Sequence, residues 1–213
     1  MNCCPHCQSA DRFFDQRVAA ADLRHYRQHG ATGTTRQLLD ALTSAGVAGM
    51  TLLDIGGGIG VVQHELRAAG VNEITGVDAS RAYLAMARSE AERLGYATVT
   101  RYVYGDFVAL ADEIAAADIV TLDRVICCYP DMAALMHSAA AKAGRLLGLV
   151  YPRDRWWTKA GVAILNLGPR VRGSAFRSFV HPTAAVEGVA AANGLRRIAH
   201  HEGAIWQVVV FAR

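Results

Sequence analysis

The nine residues from Leu52 to Gly60, Leu-Leu-Asp-Ile-Gly-Gly-Gly-Ile-Gly, constrain this chain more than any other segment. An apolar run suited to a buried strand gives way at once to glycines, which let the backbone turn sharply and approach a ligand closely. A helix starting there aims its free N-terminal amides at the ligand and favours an anionic group. In open α/β sheets ligands bind beyond the carboxyl ends of the strands. The plain alternative is a tight strand-to-helix turn with no ligand.

From Met50 onward the pattern alternates. Strands are expected at Thr51–Ile55, Glu73–Val77, Thr98–Tyr104, Ile119–Val125 and Arg145–Tyr151. Helices are expected at Val61–Ala69, from Ser80 to about Leu94, and at Met132–Lys142. Such alternation implies a parallel sheet covered by helices on both faces. Leu195–His201 and Ile205–Phe211, joined by Glu202-Gly203-Ala204, read as a closing hairpin after a helix over Thr183–Asn193. The expected fold is a Rossmann-like three-layer α/β sandwich with a mostly parallel seven-stranded sheet and an antiparallel edge strand. Ahead of it, Asp11–Gln28 reads as one helix and Thr34 caps a second through Leu42. The division expected is an N-terminal Cys-containing segment and helical cap (residues 1–49) before a ligand-binding domain (50–213). The latter carries a helical lid insertion near 153–180, in which Trp156–Leu167 forms a helix.

The dinucleotide fingerprint needs glycines spaced G-x-G-x-x-G. From Gly56 the third position falls on Val61, from Gly58 it falls on Gln63, and from Gly57 the second falls on Ile59. Every register fails. What stands instead is Asp54-x-Gly56-x-Gly58-x-Gly60, with Gly57 between, and this closely resembles motif I of class I S-adenosylmethionine (SAM)-dependent methyltransferases.

The resemblance continues along residues 50–151. Gly76-Val77-Asp78-Ala79-Ser80 is similar to the family's second strand end, whose acidic residue binds the cofactor's ribose hydroxyls. A carboxylate suits a vicinal diol because it accepts two hydrogen bonds. Gly105-Asp106-Phe107 looks like the family's Asp for the adenine amino group with an apolar neighbour for the ring. Asp118 to Asp123 and Arg124 resemble the strand facing the transferable methyl. Each carboxylate has a plainer reading: Asp78 could cap the next helix and Asp106 could be a turn residue.

Residues Leu122 to Pro130 are also similar to the corresponding part of magnesium-protoporphyrin O-methyltransferases, although Cys127-Cys128 stand where an Ile-His pair is usual. This makes Cys127, Cys128 and Tyr129 candidate substrate contacts. Arg155 and Trp156 join them, since arginines beside Trp156 and Trp157 suit an acidic, flat molecule, or else form a basic lid with core Trp residues. For a general base His181, in a loop before a helix, is considered first and Tyr129 second.

Five cysteines in two groups, without a secretory pattern, fit reduced thiols rather than a disulfide framework. Cys3, Cys4, His6 and Cys7 offer ligands for zinc or another soft metal, with Cys4 and Cys7 at Cys-x2-Cys spacing. Packed cysteines, and thiols lining a pocket together with Cys127 and Cys128, are the other readings. A net charge of +3 argues neither for nucleic acid nor for membrane, despite arginines at 153, 155, 170, 172 and 177. The expectation is a cytoplasmic, monomeric or homodimeric SAM-dependent methyltransferase of a small or medium organic acceptor. Its rivals are a thiol- or metalloid-directed methyltransferase and a non-catalytic SAM-binding sensor or partner protein.

Overall fold

In a computed structural model the described residues are 5–171 and 173–213, without the side chain of His6. In chain order the elements are α1 (Pro5–Phe13), α2 (Gln16–His29), α3 (Gly33–Ser44), β1 (Thr51–Ile55), α4 (Val61–Ala68), β2 (Glu73–Asp78) and α5 (Arg81–Arg93). Then come β3 (Thr100–Tyr104), α6 (Phe107–Leu110), β4 (Ala117–Asp123), α7 (Met132–Lys142) and β5 (Ala143–Pro152). The last are α8 (Trp156–Leu165), α9 (Leu167–Val171), α10 (Thr183–Ala192), β6 (Arg196–Glu202) and β7 (Trp206–Ala212).

The strands make one seven-stranded sheet in the order β3-β2-β1-β4-β5-β7-β6. β1 to β5 run parallel, while β7 lies antiparallel between β5 and the outermost β6. The chain moves outward one way through β3 and the other way from β4, so the switch point lies between β1 and β4, where open sheets of this kind hold ligands.

β1 and β4 are buried on both faces, hence their nearly continuous apolar sequences. Leu53, Val120 and Leu122 pack under α7 and α10, whereas Leu52 and Ile119 face the layer containing α3 and α4. α3 is seated closely because Gly148 on β5 has no side chain. A Cβ there would stand 2.8 Å from Leu38 Cδ1.

The structure departs from the sequence reading at element ends. The single helix expected over Asp11–Gln28 is broken, because the Asp15 carboxylate caps α2 by accepting from the amides of Arg17 (2.8 Å) and Val18 (3.0 Å). β4 stops at Asp123 instead of Val125, since Arg124 takes a left-handed φ of 60° that ends the ladder. The helix expected to reach Leu167 ends at Leu165, and the short α9 follows.

Candidate active site

The loop after β1 is built around a buried carboxylate. Asp54 is fully inaccessible; one oxygen accepts from Thr121 Oγ1 (2.7 Å) and the other from Gln63 Nε2 (2.9 Å). Burial pushes its carboxyl up to about 7. Gly57 crosses directly over it, where a Cβ would fall 2.1 Å from Asp54 Oδ2. Gly60 opens α4 at φ 86°. Asp54 and Gly60 therefore shape the loop from beneath, while Gly56, Gly57 and Gly58 line a cleft of about 960 Å³ above the sheet's carboxyl edge.

β2 delivers Asp78 to the same cleft. Its carboxylate accepts from the amides of Gly58 (3.0 Å) and Ser80 (2.7 Å), and burial raises it to about 6. Asp78 thus fixes the glycine loop and the start of α5 while Ala79 joins the lining. Ser80 lies outside that lining: it accepts from the Tyr83 amide (3.2 Å) and donates to the Phe14 carbonyl (2.7 Å). After β3, Asp106 caps α6 through the Val108 amide (3.1 Å) and accepts from Tyr129 Oη (3.0 Å). Phe107 is buried beside it in the cleft wall. The helix cap expected of Asp78 as its alternative role falls instead to Ser80, and Asp106, whose alternative was a turn residue, caps α6; both carboxylates line the cleft.

The end of β4 is tied to the N-terminal helices. Thr35 on α3 donates to Asp123 Oδ2, accepts from Arg124 Nη2 (2.9 Å), and Arg124 Nε meets Asp123 Oδ1 (3.2 Å). The helical turn Ile126–Cys128 follows. Cys127 donates to the Arg124 carbonyl (3.2 Å), and its sulfur lies 3.7 Å from that of Cys128. Contact with Cys128 and burial hold the Cys127 thiol well above its ordinary value.

Arg124, Cys127, Cys128 and Tyr129 line the cleft together with Asp123. His181, Arg155 and Trp156 do not. His181 Nε2 donates to the Tyr129 carbonyl (3.0 Å). Trp156 is 76% exposed, and Trp157 donates to the Ala204 carbonyl (3.2 Å).

Sequence reasoning missed the covering wall. Tyr83 donates to Asp22 on α2 (2.7 Å), and Phe14 lies 5.3 Å from the Tyr83 ring. Phe13 stacks on Phe176 at 4.8 Å. All line the cleft, but only their aromatic character is visible in the sequence, because they converge from α1, α2, α5 and the segment after α9. Among the suggested metal ligands, Cys3, Cys4 and the His6 side chain fall outside the described residues. Cys7 is buried and lines the cleft. Among the described residues no group of three or more His, Cys, Asp or Glu side chains is placed to hold an ion. No helix among them is long and apolar enough to cross a membrane.

A family model described as a methyltransferase domain matches residues 23–198. The chain belongs to the methyltransferase family. Recognition of that family from the glycine loop and its acidic followers is thereby borne out, as is the expected fold. Magnesium protoporphyrin IX methyltransferase from Synechocystis PCC 6803, solved with bound S-adenosylhomocysteine (SAH), is similar in structure. Its TM-score is 0.70 at 18% identity, over 96% of this chain and 98% of that one.

An O-methyltransferase family protein from Burkholderia thailandensis gives 0.71 at 18%, over 93% of this methyltransferase and 60% of that chain. The [4+2]-cyclase SpnF gives 0.63 at 13%, over 83% and 80%. No curated protein sequence matches significantly.

Proposed function

We propose that the cleft binds SAM and that the protein transfers its methyl group to a small or medium organic acceptor. One observation carries this reading: the glycine loop, Asp78, Asp106 and Phe107 line a single cleft at the switch point of the sheet. About 960 Å³ lies at the upper end of the range for ligand pockets, leaving room for an acceptor beside a nucleoside. In this reading Gly56 to Gly58 lie against the cofactor's amino-acid portion, with Ala79 beside the sugar. Asp78 holds the ribose hydroxyls, and Asp106 with Phe107 holds adenine. Residues 50–213 make the catalytic domain, residues 1–49 its cap, and the segment near 153–180 its lid.

When bound, SAM supplies a methyl group on a positively charged sulfur that is already a good leaving group. The chain's own contribution is to orient the acceptor in line and exclude water. Phe14, Phe176 and Tyr83 supply the apolar cover. Of the two candidate bases, Tyr129 lines the cleft and donates its hydroxyl to Asp106 (3.0 Å), so it orients the carboxylate assigned to adenine. His181 acts through the Tyr129 backbone and is a positioning residue.

The test is calorimetry with SAH. Wild type is expected to bind in the micromolar range, and Asp78→Ala to weaken binding by about 100-fold, near 2.7 kcal/mol. Failure of wild type to bind either SAM or SAH would remove the proposal. SAM binding without turnover across a broad acceptor panel would favour the non-catalytic reading.

A further inference from the structure

The helix α8 is packed inside out. Its least exposed stripe runs through Thr158, Val162 and Asn166, one turn apart, and two of these three are polar. Thr158 is buried, and its hydroxyl has no hydrogen-bond partner among the described residues. Trp156, Trp157, Ile164 and Leu165 face outward, followed by Leu167 and Val171 on α9. In water a surface helix turns its apolar stripe to the core, and a helix apolar all round is buried. α8 does neither.

This pose is held at both ends of the helix. At the start, Trp157 donates to the Ala204 carbonyl (3.2 Å) and the Arg153 amide donates to the Ile205 carbonyl (2.8 Å). At the other end, Asn166 exchanges two hydrogen bonds with Ser178, at 2.8 and 2.9 Å. Leu165 and Pro169 also line the cleft, so the outward face reaches its rim.

The charges on this face have one sign. Between Asp154 and Glu187 the sequence carries five Lys and Arg residues and no acidic one. Lys159 pairs back with Asp154 (2.6 Å), whereas Arg155 and Arg170 are exposed with no carboxylate partner among the described residues. Exposed apolar patches mark protein or membrane contacts. Two-fold pairing with a second copy would set one basic patch against another, which like charges oppose. An anionic lipid surface complements every charge. Trp side chains suit the boundary where acyl chains meet headgroups. Ten residues of helix, about 15 Å, are too short to span a bilayer but can lie in its interface.

We propose that α8 and α9 form a docking surface for an anionic lipid bilayer. Trp156, Ile164, Leu165 and Val171 enter the boundary between headgroups and acyl chains, and Arg155 and Arg170 pair with lipid phosphates. The cleft rim is thereby brought to the membrane surface.

The experiment is co-sedimentation of the full-length protein with phosphatidylcholine vesicles containing about 30% phosphatidylserine. Wild type is expected to pellet with them, and its affinity to fall by at least about 10-fold on vesicles of phosphatidylcholine alone. The Arg155→Gln/Arg170→Gln and Trp156→Ala/Ile164→Ser/Val171→Ser variants should each lose about 10-fold or more. All five positions are exposed, and thermal unfolding without lipid reports whether each variant is folded. Brominated acyl chains should quench the tryptophan fluorescence of wild type, which needs no variant.

Failure of wild type to pellet with the anionic vesicles overturns the proposal. So does equal binding to both vesicle types, unchanged binding by either folded variant, or fluorescence indifferent to bromine. A lipid-free dimer broken by the triple substitution, with no vesicle binding, assigns the face to a second copy and overturns it too. SAH calorimetry without lipid reports the cofactor reading separately, so either proposal can fail alone.

Discussion

The loop that leaves β1 and the segment that leaves β5 rise from the same edge of the sheet, yet they are opposites. In the first, nearly every polar group has a fixed partner. Asp54 is shared between Thr121 and Gln63, Gly58 is held by Asp78, and Gly57 rests on the buried carboxylate. In the second, large apolar side chains face outward: Trp156, Ile164, Leu165 and Val171 are 76%, 68%, 69% and 88% exposed.

Thr158 is the buried side chain of α8. Leu165, Asn166 and Pro169 reach the cleft lining. The contrast teaches a division of labour. In the proposed reading the β1 side receives the cofactor, whereas the β5 side carries an exposed apolar surface.

The sharpest way to break this comparison is Gly57→Ala. A methyl group 2.1 Å from a buried carboxylate oxygen cannot be absorbed by a flexible side chain. The variant should lose about 3 kcal/mol of stability in urea unfolding and lose SAH binding with it. If it unfolds like wild type, the β1 loop is as adaptable as the β5 segment.

A smaller effect comes from protons. The folded state raises Asp54 to about 7 and Asp78 to about 6, from about 3.9 in an unfolded chain. Between these limits the folded protein holds more protons than the unfolded one. Its stability is therefore greatest at the acid end and falls as pH rises through 6 to 7. The ligand-free protein should lose on the order of 2 kcal/mol between pH 6 and 8, and Asp54→Asn should flatten that slope. A stability that instead rises over this interval would contradict the burial of these carboxyls.

Thr35→Val keeps the shape of the side chain and removes the hydroxyl shared by Asp123 and Arg124. About 1 kcal/mol should be lost. Hydrogen exchange should quicken at the start of α3 and the end of β4 together, which would show that the two are coupled. The least effect is expected from Trp156→Ala, with stability changed by less than about 0.5 kcal/mol and SAH affinity unaltered. Any change should appear in turnover with the acceptor, so a large loss of stability would place Trp156 in the core.

The same contrast explains what could be read from the sequence. The β1 loop was legible because its constraints are local. A run of glycines after Leu52-Leu53-Asp54-Ile55 has few other uses, and Asp78 and Asp106 follow at strand ends in order. The strands were legible because β1 and β4, buried on both faces, tolerate little but apolar residues.

The covering wall was not legible, since Asp22, Tyr83, Phe14 and Phe176 meet only in three dimensions. Nor was the break between α1 and α2, where a single Asp15 side chain captures amides that would otherwise extend one helix. Arg155 and Trp156 looked like pocket residues by composition. The position of β7 and its turn instead draws Trp157 and Arg153 toward residues 202–205.

The inverted direction of β7 has a practical consequence. Because it descends from Trp206 at the open rim, the chain finishes on the far side of the sheet, where Arg213 bonds to the carbonyls of Ala140, Ala143 and Arg145. The first described helix, by contrast, places Cys7, Ala10 and Phe13 in the cleft wall. A bulky fusion or surface tether attached after Arg213 would leave the entrance clear, while bulk attached to α1 itself would crowd it.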